Sequence, residues 1–142
     1  MEGRITPENI ENLEDYHTFV FGSNLWGKNG AGAALLAAKK GWAVSGKGYG
    51  HHWKDNDRFI GSYAIPTKGL YIETLPIEWI KYYVDHFIVF AKTGRSQTFL
   101  VTEIGCGLAG YIPEQIAPLF KEAVKYDNIH LPQRFWDVLN KK

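Results

Sequence analysis

Between residues 17 and 41 the chain changes character twice. HTFVFGS (17–23) is rich in β-branched and aromatic side chains and predicts a strand, and the turn NLWGKN (24–29) after it combines asparagine with glycine. GAGAALLAAKK (30–40) then predicts a helix that stops at Gly41 as at a glycine C-cap. That helix is nearly all alanine and leucine, which suits tight packing against a sheet. Gly22, Gly27, Gly30, Gly32 and Gly41 fall within this one stretch, so something comes too close to its backbone for side chains.

The same alternation continues to the C-terminus. SYAIPT (62–67), TFLVTEIG (98–105) and NIHLP (128–132) read as strands, and GWAVSG (41–46) offers a fifth. A helix over 75–92 has Thr74 as N-cap and Pro76 in its first turn. It carries Ile77, Ile80, Val84, Phe87, Ile88 and Ala91 at spacings of three and four. A further helix over 113–126 shows Ile116, Phe120, Ala123 and Val124 on one face, and Pro118 moves the start of its regular part to Ala117, after a looser turn. Strands alternating with helices predict a single α/β domain over residues 1–142, in three layers, with a mixed, mostly parallel sheet flanked by helices.

Composition narrows the partners. Lys and Arg total 16 against 15 acidic residues with no long run of either sign, so a basic stripe for direct nucleic-acid or membrane-surface binding is not expected. The single cysteine, Cys106, excludes an intrachain disulfide and a Cys-rich metal site. No stretch approaches the length of an apolar membrane span, and residues 1–15 lack the apolar core of a signal peptide; a cytoplasmic location is the expectation.

In α/β sheets ligands bind at the carboxyl ends of strands, in the loops that enter helices. Two glycine-rich loops have that position. GSNLWGKNGAG (22–32) opens a helix, where free N–H groups and the helix dipole attract phosphate. It is neither a P-loop, because Lys28 precedes Gly30, nor G-x-G-x-x-G, because Leu35 stands at the third glycine's place. A tight turn with close helix packing would also account for it. IGCGLAGY (104–111) follows the most apolar strand, and its backbone amides form a candidate anion nest with Tyr111 placed to cover it. Together the two loops can grip a diphosphate from both sides. Trp26, Trp53 and Tyr111 lie beside glycine-rich turns, where a ring can stack on a base.

SNLWGKNGAGAALLAAKKG and TFLVTEIGCGLAGYIPEQIAPLFKEAV resemble the macrodomain pattern of two ligand loops, the second ending here in Gly-Tyr-Ile-Pro, with SYAIPT as the strand between. The similarity spans roughly residues 17–132 and is nearest to small macrodomain-like proteins of bacterial and phage genomes. It implies binding of ADP-ribose or a related NAD-derived nucleotide, free or on a protein or nucleic acid. It also implies hydrolysis of an ADP-ribosyl linkage at the distal ribose; the alternative is a non-catalytic sensor or sequestering protein. By the resemblance, Asn24 stands beside the distal ribose and orients the sugar or a water, with Gly22 and Ser23 leading into it. Gly30, Ala31 and Gly32 form the first phosphate-and-ribose loop. Gly105, Cys106, Gly107, Leu108, Ala109 and Gly110 form the diphosphate loop, and Tyr111 flanks the distal ribose. No cofactor or metal is implied. The chain departs from the pattern where GRITPEN has Arg4 in place of the aspartate that reads adenine, leaving Asp15, Asp55 or Asp57 to take that role.

Other residues carry two readings each. His51 and His52 are adjacent in GKGYGHHWKDND (46–57), and in an extended segment they point to opposite sides, so a metal would need ligands from elsewhere; a mobile lid or substrate loop accounts for the segment better. Cys106 is either a nucleophile activated by loop dipoles or a small side chain packed beneath the loop. Glu103 is either a general base or a surface or salt-bridged carboxylate. Glu73 and Glu78 flank a helix start, where the dipole explains them.

Overall fold

Strand β2 (His17–Asn24) organises the molecule. The computed structural model describes residues 2–141. Along β2, Phe19, Val20 and Phe21 are all fully buried, which for consecutive strand residues requires cover on both faces of the sheet. Phe19 and Phe21 enter one core with Ala34, Ala37, Trp42 and Leu100. Val20 enters the other with Ile65, Phe87, Phe99, Val101 and Phe120. Each such ring removed from water contributes about 1.5–3 kcal/mol.

The sheet has the order β1-β6-β5-β2-β4-β3. β2 pairs in parallel with β4 (Ile60–Lys68) on one side and β5 (Thr98–Val101) on the other. β6 (Ile129–Pro132) continues in parallel beside β5, and the short β1 (Ile5–Thr6) beside β6. β3 (Gly50–Asp55) closes the far edge antiparallel to β4. Helix α1 (Gly32–Lys39) covers the Phe19 face. The Val20 face is covered by α2 (Ile77–Thr93), by α3 (Pro113–Ile116) with the 3-10 helix Ala117–Lys125 that continues it, and by α4 (Gln133–Leu139). This is the expected three-layer α/β architecture with a mixed, mostly parallel sheet.

Several elements differ from expectation for identifiable reasons. GWAVSG forms no strand. Gly41, at φ 74°, closes α1 with its N–H on the Ala38 carbonyl (3.0 Å) and the Trp42 N–H on Ala37 (2.9 Å), a Schellman arrangement that turns Trp42 down onto Phe19. Half of the segment 46–57 is strand, because β3 pairs along β4. α2 starts at Ile77 with Pro76 as N-cap, and the Thr74 hydroxyl donates to the Ala109 carbonyl (3.1 Å) instead of capping. In the third helix the α turn comes first and the 3-10 stretch follows, since Pro118 has no N–H to continue the α ladder.

Arg4 ties the chain ends together. Its guanidinium donates to the carbonyls of Ala123 (3.2 Å), Val124 (3.1 Å), Tyr126 (2.6 Å) and Ile129 (3.0 Å) and lies 5.1 Å from the Trp136 ring centre. The Trp136 indole N–H in turn donates to the Arg4 carbonyl (2.9 Å).

Candidate functional site

β2 is where the connections diverge: its chain leaves through α1 on one face toward β4, and β4 leaves through α2 on the other face toward β5. Loops pointing away from each other at such a switch point leave a crevice beyond the strand ends. A cleft of about 470 Å³ lies there. Its walls are the end of β2 (Gly22, Ser23, Asn24), the turn through Trp26 and Lys28, and residues 30–34 at the start of α1. Thr67, Lys68 and Ile72 after β4, and residues 102–105 and 107–109 after β5, complete it.

Glycines in and beside the two loops serve different ends. A Cβ on Gly27 would lie 2.5 Å from the Gly46 carbonyl carbon, and one on Gly48 2.0 Å from the Asn24 carbonyl oxygen, so here backbone packs on backbone. At Gly30, Gly32 and Gly107 an added Cβ would meet nothing within 4 Å. These three line the cleft, and the space beside them is open.

Residues with free amide donors line the cleft on two sides. α1 has no side-chain cap and no acidic residue in its first turn, and its first intrahelical bond runs from the Leu35 N–H to the Ala31 carbonyl (3.1 Å). The N–H groups of Gly32, Ala33 and Ala34 precede that bond and have no acceptor among the described residues. In the loop after β5, Cys106 N–H bonds to Glu103 (3.2 Å), Gly110 N–H to Gly107 (3.0 Å) and Tyr111 N–H to Gly105 (2.9 Å). Among the described residues the N–H groups of Gly107, Leu108 and Ala109 have no protein acceptor. The loop is held against the start of α2 by Thr74 and by the Tyr111 hydroxyl, which donates to the Leu75 carbonyl (2.6 Å).

Individual side chains are more committed than the sequence suggests. Asn24 lines the cleft, but its Nδ2 donates to the Lys28 carbonyl (2.8 Å) and its Oδ1 accepts from the Lys28 N–H (3.1 Å). The buried Ser23 hydroxyl donates to the Gly48 carbonyl. Cys106, Gly110 and Tyr111 do not line the cleft. The Cys106 thiol packs against the larger core, and burial, with Glu103 nearby, pushes its pKa up to about 11; it is a packed thiol and not an activated nucleophile. Glu103 receives two bonds from Arg134 (2.6 and 2.7 Å), which hold its carboxyl below the usual range. It is the salt-bridged carboxylate of the two readings.

A second cavity of about 420 Å³ adjoins the first at the ends of β1 and β6 and shares Thr102 and Glu103 with it. Thr6, Glu8, Gln133 and Arg134 line it, and the Thr6 hydroxyl is buried without a hydrogen-bond partner. Sequence reasoning missed this cavity and the wall formed by Lys68 and Ile72.

The residues considered for adenine or a metal lie elsewhere. Asp15 pairs with Arg58 (2.7 Å), and the Asp55 carboxylate accepts the Asp57 and Arg58 N–H groups (2.9 and 3.0 Å) in the turn before β4, at the opposite end of that strand from the cleft. His51 is wedged between Trp53 (ring centres 4.2 Å apart) and Phe90 (5.1 Å). Burial there lowers its pKa to about 4. Among the described residues no three His, Cys, Asp or Glu side chains come together as metal ligands, and no helix is long and apolar enough to cross a membrane.

The order of six strands, the helices on both faces and the cleft at the switch point define a macrodomain-like α/β fold. A macrodomain protein from Streptomyces coelicolor superposes with a TM-score of 0.58 at 13% identity, over 85% of this chain and 88% of that one. A protein of unknown function from Bacteroides thetaiotaomicron superposes with a TM-score of 0.62 at 14% identity, over 82% of this chain and 86% of the other. No family model and no curated protein matches the sequence.

Proposed function

We propose that the cleft binds ADP-ribose or a related NAD-derived nucleotide, free or attached to a macromolecule, with its diphosphate between the start of α1 and the loop after β5. The observation that carries this reading is the pair of open amide sets, Gly32 to Ala34 and Gly107 to Ala109, on one cleft. Oriented N–H groups from two sides suit a group with two adjacent anionic centres, and Lys28 and Lys68 add positive charge. The resemblance of both loops to the macrodomain pattern supports the nucleotide. The second cavity has room for the base, with Glu8 as the acceptor that Arg4, turned into the fold, does not supply.

Turnover at the distal ribose needs a group that activates water. Asn24 is bonded to Lys28 at both ends of its amide, Glu103 has both oxygens on Arg134, which lowers its basicity, and burial keeps the Cys106 thiol protonated. These commitments favour a protein that senses or sequesters the nucleotide over a hydrolase.

Calorimetric titration with ADP-ribose tests the binding. Incubation with ADP-ribosylated protein and ADP-ribosylated DNA, following capture and release in parallel, tests the chemistry. Saturable binding without release is the expected result. Release of ADP-ribose would restore the hydrolase reading, and no binding to any of the three would refute the proposal.

A further inference from the structure

The phosphate-facing amides leave one end of the cleft unused. Trp26 lines that end with 56% of its surface exposed, and the Lys28 ammonium lies 5.2 Å from the centre of its ring. The turn that carries it is stiff. Besides the Asn24 bonds to Lys28, the Gly27 N–H bonds to the Asn24 carbonyl (3.0 Å) and the Gly46 N–H to the Gly27 carbonyl (2.9 Å).

The Leu25 N–H donates to the Lys68 carbonyl (2.9 Å) and so joins this turn to the one after β4. There Ile72 lines the same cleft at φ 66°, a left-handed conformation that a β-branched side chain resists. Such strain persists only where the surroundings enforce it and gathers at ligand sites. Here the Ile72 N–H bonds to Gly69 (3.2 Å) and the Gly69 N–H to Glu73 (2.8 Å). Leu108, 74% exposed, adds a third apolar side chain from the loop after β5.

An indole held by a hydrogen-bonded turn and presented to water on a cleft wall, with two apolar side chains from two other loops lining the same cleft, offers a surface for a ring. We propose that Trp26, Ile72 and Leu108 form a subsite for a flat, uncharged aromatic ring carried on the distal sugar of the nucleotide. The ligand is then dinucleotide-sized. This rests on the nucleotide reading above. Lack of charge on the ring follows from Lys28, whose ammonium occupies one face of Trp26 and repels a cationic ring brought to the other. Of the two nicotinamide dinucleotides, the neutral dihydropyridine of NADH fits this subsite and the pyridinium of NAD+ does not.

Titration of the wild type, Trp26→Ala and Trp26→Phe with ADP-ribose, NADH and NAD+ tests this. NADH is expected to bind the wild type about 5- to 20-fold more tightly than ADP-ribose, as one stacked ring implies, and more tightly than NAD+. Trp26→Ala should bring NADH to within about twofold of ADP-ribose while leaving ADP-ribose itself nearly unchanged, and Trp26→Phe should keep most of the preference. Equal binding of NADH and ADP-ribose by the wild type, equal loss of both in Trp26→Ala, or a preference for NAD+ over NADH would overturn the ring subsite and leave the nucleotide reading standing. Binding of none of the three would overturn both.

Discussion

The Asn24 side-chain amide closes a ring with the backbone of Lys28, donating to its carbonyl at 2.8 Å and accepting from its N–H at 3.1 Å. Both ends of the amide are therefore used in shaping the turn that presents Trp26 and Lys28. Asn24→Asp keeps the acceptor and removes the donor. It is expected to cost about 1 kcal/mol in urea unfolding and to weaken ADP-ribose binding about 5- to 10-fold. Asn24→Ala should cost more in both. Unchanged binding in Asn24→Ala would mean that the turn holds its shape without the ring.

Gly107 and Gly48 make a matched pair of tests. Nothing lies within 4 Å of a Cβ on Gly107, so Gly107→Asp should leave the unfolding midpoint within about 0.5 kcal/mol of wild type. The carboxylate would nevertheless meet the bound diphosphate, and affinity for ADP-ribose should fall more than about tenfold. Gly48→Ala drives a methyl against the Asn24 carbonyl and should destabilise the fold by about 2–4 kcal/mol. Gly107→Asp that binds normally would show that the diphosphate lies elsewhere.

Arg4 stands where a ligand-reading aspartate was expected and is used inside the fold. Arg4→Ala removes the donors to four carbonyls near the end of the 3-10 helix and should cost about 2–4 kcal/mol of stability. Because Arg4 lines neither cavity, ADP-ribose affinity at a temperature where the variant stays folded should be unchanged. A selective loss of binding would place Arg4 at the ligand.

His51 sets a pH dependence. Its pKa is lowered from 6.5 to about 4 by burial, with His52 and Lys47 adding to the effect, so the unfolded chain binds the proton more readily than the folded one. The stability this contributes is complete above about pH 6.5 and is lost as pH falls toward 4. The slope is at most about 1.4 kcal/mol per pH unit, reduced by solvent reaching a half-buried ring. Urea midpoints between pH 7 and about 4 should fall less steeply in His51→Phe than in the wild type. Parallel slopes would show that His51 is not the group responsible.

Cys106 should behave as an inert thiol. With its pKa near 11, alkylation by iodoacetamide at pH 7.5 is expected to be about 100-fold slower than for an exposed cysteine. Cys106→Ser should bind ADP-ribose as the wild type does. Rapid labelling at neutral pH would contradict the packing described for this loop.

The α/β layers and the two glycine-rich loops that line the cleft were legible because their signals are local. The β-branched and aromatic run of HTFVFGS, the three- and four-residue spacing of Ile80, Val84 and Phe87, and glycine at helix boundaries each depend on a few neighbouring residues. β3 was hidden because GHHWKD has no alternation; its strand character comes from pairing with β4. The second cavity was hidden for a similar reason. Thr6, Thr102 and Arg134 come together only because β1 pairs with β6 and β6 with β5, and no spacing along the chain announces that. Asn24 lines the cleft, but the use of its amide depends on the course of the turn that follows, which brings the Lys28 backbone onto it.

The backbone contacts of Gly27 with Gly46 and of Gly48 with Asn24 leave no room for a side chain at Gly27 or Gly48, where the first loop meets the lead-in to β3. New recognition properties would have to be introduced through the turns after β4 and β5, where Tyr71 and Leu108 project into solvent. A library confined to residues 70–72 and 107–109 would re-target the cleft without disturbing its frame.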